Sequence, residues 1–284
     1  MSNYFKGYYF KTQDNSNTVS IIPAIHIDKF GNESTTIQVI TNNGSWCTST
    51  PFSHSVFHKS RPVSIIDNNT FCERGLKLNI SENNLRILGK LNFGKLCSIK
   101  HDIMGPFRYI PFMQCRHSVY SMTHSVNGYL YINDDYYEFN DAKGYIEGDR
   151  GYSFPKNYIW TQCNFDNNSL MLSVADIPLL GTKFTGTIGV VLFNGKQYRI
   201  ATYLGAKVEY VKNNTVIVRQ GNSTIIAKLI KNSPQALYAP VNGSMTRTIN
   251  ESAQCTVFYC FMLNNKKIFE FQTNQAAFEY EYCK

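Results

Sequence analysis

The sequence predicts an all-β protein built from antiparallel sheets. Short apolar or alternating runs recur along its 284 residues, with Asn, Asp and Gly between them. Aromatic residues make up 14% of the chain, including 19 Tyr and 19 Phe, which favours strands and a large apolar interior. Strands at this spacing are typical of antiparallel barrels or sandwiches.

The first half of the chain contains three pairs of predicted strands. Residues 18–27 form an apolar β-branched run that precedes a turn at 28–32, and residues 35–41 form the next strand. Residues 77–80 and 85–93 pair across 81–84. Residues 129–132 and 136–139 form a hairpin over Asn133, Asp134 and Asp135.

The second half continues as a meander. Strands are predicted at 170–174 and 186–193, and Asn194-Gly195 is a strong hairpin signal that leads into 198–204. Further strands are predicted at 208–211, 216–219 and 224–230. Three more, at 255–263, 267–273 and 276–282, end the predicted series.

A chain of this length is long for one domain and fits two domains of roughly 140 residues each. No Pro- or Ser-rich linker separates them. We place the boundary after the hairpin, near 140–143, which gives an N-terminal domain at 1–142 and a C-terminal domain at 143–284.

Composition and charge exclude several classes of protein. With 43% hydrophobic and 17% charged residues, the chain has the composition of a folded protein with a sizeable core. The formal net charge is +8, but the basic residues are scattered, so a nucleic-acid surface is not predicted. Weak attraction to an anionic membrane surface remains open.

We expect a cytoplasmic location. The first residues, MSNYFKGYYF, do not have the pattern of a secretory signal, and no apolar run approaches the roughly 20 residues that span a bilayer. The eight cysteines include no C-x-x-C pair and no zinc spacing, so we expect reduced, mostly buried thiols and no metal site.

One stretch breaks the local rules of a plain β protein. Residues 144–164, GYIEGDRGYSFPKNYIWTQCN, crowd two acids, an arginine, aromatic residues and amides beside glycines and a proline. Such groups are costly to bury unless they are paired, and they often mark a functional site. The alternative is a solvated acidic turn that leads into a strand.

This stretch resembles the signature of the tocopherol cyclase-like proteins, and looks closest to a short bacterial branch of them. That signature is an acidic pair before a glycine, then Phe-Pro, then Trp-x-Gln-x-Asn. It reads here as Glu147-Gly148-Asp149-Arg150-Gly151, Phe154-Pro155 and Trp160-Thr161-Gln162-Cys163-Asn164. The likeness extends to residues 8–13, 20–28, 102–107, 111–124 and 199–205. It implies two lipocalin-like β-barrel domains.

The resemblance also implies a chemistry. Tocopherol cyclases protonate a prenyl alkene, and a phenol oxygen captures the resulting carbocation to close a ring, without a metal or organic cofactor. An alkene is a weak base, so the reaction needs a carboxyl that an apolar pocket keeps protonated. Glu147 and Asp149 are two positions apart and would share one face of a strand. We expect one of them to be the acid, with Asp149 favoured.

Arg150 departs from the family, whose better-known members look to carry tryptophan at this position. A cation beside the acids would favour their ionised form, which opposes alkene protonation. Two other roles for Arg150 remain open: binding the anionic head group of a lipophilic substrate, or forming an ion pair with Glu147.

Other residues of the stretch are candidates for substrate binding. Tyr152, Tyr158 and Trp160 are expected to line a cavity. Gln162 and Asn164 are expected to orient a quinol hydroxyl. Because Trp160, Gln162 and Asn164 alternate by two, they should point to one side of a strand. Hydrogen bonding at the rim of a barrel is the alternative role for the two amides.

Three histidines precede the stretch. His101 lies beside a Gly-Pro turn in a segment shared with the family, and we expect it to serve as a proton relay. His117 and His124 are expected to be structural. None of the three has a partner at zinc-ligand spacing.

The sequence leaves two functions open. The first is a tocopherol cyclase-like enzyme that acts on a prenylated or isoprenoid lipophile. The second is a non-catalytic lipocalin-like protein that binds a hydrophobic small molecule. The fold class hosts both functions, so the site has to decide between them.

Overall fold

The structure, a computed structural model, describes residues 3–82, 84–111, 113–179 and 182–282. Antiparallel strands dominate it. Within these ranges the helical segments are three short 3-10 turns, at Phe52–His54, Gly105–Tyr109 and Thr202–Leu204. The prediction of an all-β antiparallel protein is confirmed.

The first sheet has eleven strands. In chain order they are β1 (Tyr4–Gln13), β2 (Thr18–Ile27), β3 (Glu33–Thr41), β4 (Ser45–Thr50), β5 (Ser55–Phe57), β6 (Ser64–Ile66), β7 (Asn69–Cys72), β8 (Gly75–Glu82), β9 (Leu85–Phe93), β10 (Cys115–Ile132) and β11 (Asp135–Gly151). Their order across the sheet is β4-β3-β2-β1-β11-β10-β9-β8-β7-β6-β5, so β11 lies between β1 and β10.

The second sheet has ten strands. They are β12 (Tyr158–Phe165), β13 (Asn168–Leu179), β14 (Thr182–Phe193), β15 (Lys196–Ala201), β16 (Lys207–Lys212), β17 (Thr215–Gln220), β18 (Ser223–Lys231), β19 (Gln235–Val241), β20 (Ser244–Leu263) and β21 (Lys266–Tyr280). Their order is β15-β14-β13-β12-β21-β20-β18-β17-β16, and β19 pairs with β20.

Neither sheet closes into a barrel through the strand pairs that the structure describes. The first runs from β4 at one edge to β5 at the other, and the second runs from β15 to β16. Each is therefore an open, sandwich-like sheet rather than a closed cylinder.

The chain divides into two compact units. Unit 1 contains residues 1–99, 115–154 and 237–247, and unit 2 contains residues 100–114, 155–236 and 248–284. The sequence-based boundary at 142/143 falls inside β11. The chain passes from residues 115–154 of unit 1 to residues 155–236 of unit 2 between Phe154 and Pro155. The domain limits 1–142 and 143–284 remain a prediction.

Hairpin turns follow the sequence signals. Asn194 and Gly195 have φ angles of 49° and 74°, the left-handed pair that a two-residue turn between twisted strands requires. The predicted hairpin at 129–139 also forms, with Ile132 opposite Asp135.

The prediction of three terminal strands is wrong. Residues 267–273 and 276–282, predicted as separate strands, belong for the most part to one strand, β21. Cys255 pairs with Ala276 and Val257 pairs with Thr273, so two residues of β21 lie opposite one residue of β20. Asn274 and Gln275 are thus a bulge, which bends a strand without ending it.

Each unit has its own apolar core. Core 1 includes Tyr8, Phe10 and Ile146 and draws on most strands of the first sheet. Core 2 includes Tyr259 and Phe261 and draws on the second. Alternation along a strand then assigns each neighbouring residue to the core face or to the opposite face.

Seven cysteines lie in the described part of the chain, and all are free thiols. Three of them are buried and four are partly buried. Cys283, and Phe112 of the family-like segment 111–124, lie outside the described residues. No helix in the described ranges is long and apolar enough to cross a bilayer.

Candidate functional site

The candidate site lies on the three central strands of unit 1. The register places Glu147 of β11 opposite Tyr9 of β1. Two residues further along, Asp149 lies opposite Gly7 on β1 and His117 on β10. The alternative of a solvated acidic turn is wrong, because β11 continues to Gly151 and Glu147 is only 5% exposed.

The two acids share one face of β11. Ile146 belongs to core 1, so Glu147 and Asp149, which flank Gly148, point to the opposite face. Both carboxylates reach the same partner, His117. The alternation expected from the sequence is therefore present.

His117 lies between the two carboxylates. Its Nδ1 is 2.9 Å from Oδ1 of Asp149 and its Nε2 is 3.2 Å from Oε2 of Glu147. The exposed fraction of the side chain is 10% for His117, 7% for Glu147 and 21% for Asp149. Charges with so little water need partners, so the three side chains form one electrostatic unit.

Two further donors extend this unit. The hydroxyl of Tyr145 donates to Oε2 of Glu147 at 2.6 Å, and the thiol of Cys115 donates to Oδ1 of Asp149 at 3.3 Å. The five side chains Cys115, Asp149, His117, Glu147 and Tyr145 form a continuous chain, which we call the His117 cluster.

The protons of the two outer members are firmly held. Burial raises the pKa of Tyr145 well above its usual 10, and the Glu147 carboxylate raises it further. Burial and the Asp149 carboxylate raise the pKa of the Cys115 thiol well above its usual 9. Both groups therefore remain protonated near neutral pH and act as hydrogen-bond donors.

The central member is charged. Burial alone lowers the pKa of His117, but the carboxylates of Asp149 and Glu147 together outweigh burial and raise this pKa well above 6.5. His117 is therefore an imidazolium at neutral pH. The cluster stores a proton in a position with little access to water.

Close approach of β1 and β11 explains the glycine between the acids. A methyl group at Gly148 would lie 2.8 Å from the carbonyl oxygen of Gly7 and 2.8 Å from Cδ1 of Tyr8. Neither neighbour can move freely, because one is backbone and the other is a core side chain. Gly148 therefore permits the strand spacing that places Glu147 and Asp149 on either side of it.

The same three side chains carry atoms that can bind a metal ion. His117, Glu147 and Asp149 can each offer one atom, and these atoms lie within 4.8 Å of one another. However, each carboxylate lies against a different nitrogen of the imidazole ring. The ring thus occupies the space between the acids, and the arrangement fits a proton-holding chain better than a metal cage.

Not every predicted residue joins the cluster. His101 is exposed and belongs to unit 2, whereas Glu147 and Asp149 belong to unit 1. The histidine that contacts the acids is His117, which the sequence analysis assigned to structure. The expected relay role of His101 remains a prediction.

Arg150 lies on the other face of β11. Its neighbours are Lys6, Tyr4 and Tyr8, whose titration its charge affects. The ion pair with Glu147 that the sequence left open is not formed. The expectation that this cation works against the acids from beside them is therefore wrong. Tyr152 follows β11 and is partly buried.

The remaining predicted residues lie on β12 in unit 2. Tyr158, Trp160, Gln162 and Asn164 are all buried. Ile159 and Cys163 belong to core 2, so these four alternate onto the opposite face, as the sequence predicted. Nε2 of Gln162 is 3.3 Å from Oδ1 of Asn164.

Two acids that the sequence analysis did not select lie near this face. Glu279 of β21 pairs in register with Trp160 and with Glu251 of β20. The hydroxyl of Tyr158 donates to Oε2 of Glu279 at 2.5 Å. Glu251 and Glu279 are 1% and 8% exposed. Glu251 breaks the strand pattern with its charge, which indicated a structural pair, but no local pattern places it opposite Glu279.

The fold and the His117 cluster define an all-β protein with a buried acid–histidine site. The chain belongs to the tocopherol cyclase-like family, whose model matches residues 63–279. No curated protein matches the sequence.

One solved structure supports the fold. A protein from Nitrosomonas europaea, provisionally assigned as AttH, aligns with a TM-score of 0.58 over 100% of this chain and 93% of its own, at 9% identity. This likeness concerns the fold alone. A protein of unknown function from Nostoc punctiforme aligns over 98% of this chain and 94% of its own at 7% identity, but its TM-score of 0.17 supports no argument.

Proposed function

We propose that this chain is a tocopherol cyclase-like enzyme that protonates an alkene of a prenylated or isoprenoid lipophile and then closes a ring. Family membership supports this proposal. The observation that carries it is the imidazolium of His117 held between Glu147 and Asp149 with little access to water. Buried charge clusters of this kind are costly, and they concentrate at functional sites.

Asp149 is the proposed end of the cluster that faces the substrate. Its side chain is 21% exposed, three times the value for Glu147. When the proton between Nδ1 of His117 and Oδ1 of Asp149 lies on the carboxyl, Asp149 is the neutral acid that protonates the alkene. Glu147 and Tyr145 hold the far side of the imidazole and are positioning residues.

The proposed reaction balances in protons. The cluster gives one proton to an alkene carbon, which leaves neutral His117 between two carboxylates and a tertiary carbocation in the substrate. The negative charge that remains stabilises this cation. The substrate's phenol oxygen then forms the C–O bond, and its proton returns to the cluster. No electron transfer is required.

We propose separately that Tyr158, Trp160, Gln162 and Asn164 of unit 2 bind a lipophilic ligand. Aromatic rings offer it apolar contacts, and amides can bind a hydroxyl. The variants Trp160→Phe and Gln162→Leu test these roles one at a time. The proton transfer described above does not require His101, whose relay role remains a prediction.

Substitutions in the cluster test the proposal. The variants Asp149→Asn, Glu147→Gln and His117→Gln are incubated with a prenylated hydroquinone, and ring-closed product is measured by mass spectrometry. Loss of a positioned acid–base group typically lowers turnover by about a hundredfold to ten-thousandfold. Binding is measured separately, by displacement of a fluorescent lipid. The matched control is Glu209→Gln, whose glutamate is exposed on β16 and pairs with Arg219.

The outcomes separate enzyme from carrier. Lost turnover with retained lipid binding in Asp149→Asn supports catalysis by the cluster. Lipid binding without turnover in the wild-type protein supports the binding-protein function. Absence of both in the wild-type protein contradicts the two functions together.

A further inference from the structure

A row of cations crosses strands β1, β11 and β10 on the face that carries core 1. Lys6 of β1 lies opposite Arg150 of β11, and Arg150 lies opposite Arg116 of β10. Like charges directly opposite one another on neighbouring strands destabilise a sheet. Their alignment therefore calls for a compensating anion.

Acids are absent from this face along the described segments. Its residues on β1 are Tyr4, Lys6 and Tyr8, and those on β11 are Gly148 and Arg150. On β10 they are Arg116, Ser118 and Tyr120. The nearest acids in sequence, Glu147 and Asp149, point to the other face, where His117 engages them. On this face, no acid of these strands therefore neutralises Lys6 or Arg150.

Lys6 is fixed in place and largely withdrawn from water. Its exposed fraction is 6%, and its Nζ donates to the carbonyl oxygens of His58 at 2.5 Å and Lys59 at 3.0 Å. Carbonyl groups solvate the ammonium but do not cancel its charge. Burial and then the charge of Arg150 lower the pKa of Lys6 to about 8.

Arg150 has the donors that an oxyanion needs. Its guanidinium is partly buried and carries a fork of N–H groups suited to two oxygens of one anion. Among the described residues the guanidinium forms no hydrogen bond or ion pair, and its charge acts on Tyr4, Lys6 and Tyr8.

We propose that Lys6 and Arg150, with Arg116 beside them, form a binding site for a phosphate group. A phosphate monoester carries nearly two negative charges at neutral pH, which suits a row of cations better than a single carboxylate does. Its oxygens can accept from the Arg150 fork and from the remaining N–H of Lys6. This site lies on the opposite face of β11 from the His117 cluster, so it does not depend on the proposed reaction.

The surroundings leave two sources for the phosphate group. Tyr8 stacks on Phe57, with ring centroids 5.7 Å apart, and contacts Tyr120 edge to face at 5.9 Å. These aromatic side chains would accept an alkyl chain attached to the phosphate. Free inorganic phosphate needs only the cations. The two probes are therefore inorganic phosphate and decyl phosphate, used below the concentration at which the latter forms micelles.

Calorimetric titration at neutral pH, with chloride matched for ionic strength, tests the site. We expect saturable binding of phosphate, and binding weakened about tenfold to a hundredfold in Arg150→Gln, since a charged hydrogen-bond pair is lost. Arg150→Lys keeps the charge but not the forked N–H groups, so its affinity for phosphate should lie between those of the wild type and Arg150→Gln. The matched control, Arg86→Gln, removes an exposed arginine from β9 of the same sheet and should bind as the wild type.

Each outcome bears on the proposal. Decyl phosphate that binds more tightly than inorganic phosphate identifies an amphiphile, and equal affinities identify free phosphate. No saturable binding of either probe overturns the site, as does unchanged binding in both Arg150 variants. If Arg150→Gln does not fold, Arg150→Lys and Lys6→Met provide the same comparison. None of these results depends on ring closure, so the proposed function stands or falls separately.

Discussion

Replacing His117 with glutamine should show that the cluster is an ionic unit. Glutamine retains a hydrogen-bond donor but removes the positive charge between Glu147 and Asp149. Removing one partner of a buried ion pair costs about 3–5 kcal/mol because the other charge remains buried. Asp149 is partly hydrated at 21% exposure, so we expect a value near the lower end, about 3 kcal/mol.

The pH dependence gives this prediction a sign. Because the pKa of His117 is raised in the folded state, the folded protein binds more protons than the unfolded chain above pH 6.5. The stabilisation is fully present below pH 6.5 and is lost as the pH rises through the folded-state pKa. The difference between wild type and His117→Gln should therefore be greatest near about pH 6 and decline across the alkaline range, as the pH rises through the folded-state pKa.

Urea denaturation followed by tryptophan fluorescence measures this difference. The chain has two tryptophans, and Trp46 packs against core 1 whereas Trp160 belongs to unit 2. A Trp160→Phe background therefore makes Trp46 the reporter for unit 1. A loss below about 1 kcal/mol, or an equal loss at both ends of the pH range, would refute the ionic unit.

Three further predictions concern stability. Burial lowers the pKa of His26 and of His124 to about 4, so protonation of each ring should lower the free energy of unfolding by up to about 3 kcal/mol as the pH falls from 6.5 through 4. NMR should show both rings neutral at neutral pH, and charged rings at that pH would contradict this prediction. Gly148→Ala should cost about 1–3 kcal/mol in urea denaturation because its methyl meets backbone and a core ring, and a neutral effect would place the strands further apart. Phe261→Ala should cost about 3–5 kcal/mol because this ring is fully buried in core 2, and a loss below about 1 kcal/mol would show that the core collapses around it.

Local sequence patterns predicted much of the fold. The run at 18–27 coincides with β2, the run at 85–93 coincides with β9, and Asn194-Gly195 forms its hairpin. These features depend on residue alternation and on turn chemistry, which are both local. Strand β1 was not predicted, because Tyr4–Gln13 has two lysines and a glycine among its aromatic residues.

Irregular strand pairing escaped prediction. The bulge at Asn274 and Gln275 has the composition of a turn, so residues 267–273 and 276–282 looked like separate strands. Whether such a pair ends a strand or only bends it depends on the partner strand, here β20. That information is not local to β21.

The site was predicted in part. The alternation of Glu147 and Asp149 on one face followed from their spacing, but their partner His117 lies 30 or more positions away in sequence. If the residues on either side of the hairpin turn at Asn133 and Asp134 are paired one by one, the predicted partner of His117 lies within one residue of Asp149. Register shifts along β10 supply the remaining offset. The long hairpin was thus the available signal for this histidine.

The face of β11 on which Arg150 lies could also have been predicted from the sequence. Alternation along β11 separates it from Glu147 and Asp149 as soon as the segment is known to be a strand. Because the glycines and Phe154-Pro155 suggested a turn, the sequence analysis placed the cation beside the acids. The structure removes that conflict with acid catalysis and gives Arg150 a different set of neighbours.

Ring closure in deuterated water measures the central claim most directly. The wild-type protein is incubated with a prenylated hydroquinone in D₂O, and the product is returned to ordinary water before mass spectrometry. Protonation of an alkene by the cluster predicts a ring-closed product that retains one deuterium on carbon, and loss of this product in Asp149→Asn. A product without carbon-bound deuterium, or equal labelled product from Asp149→Asn, would contradict the account.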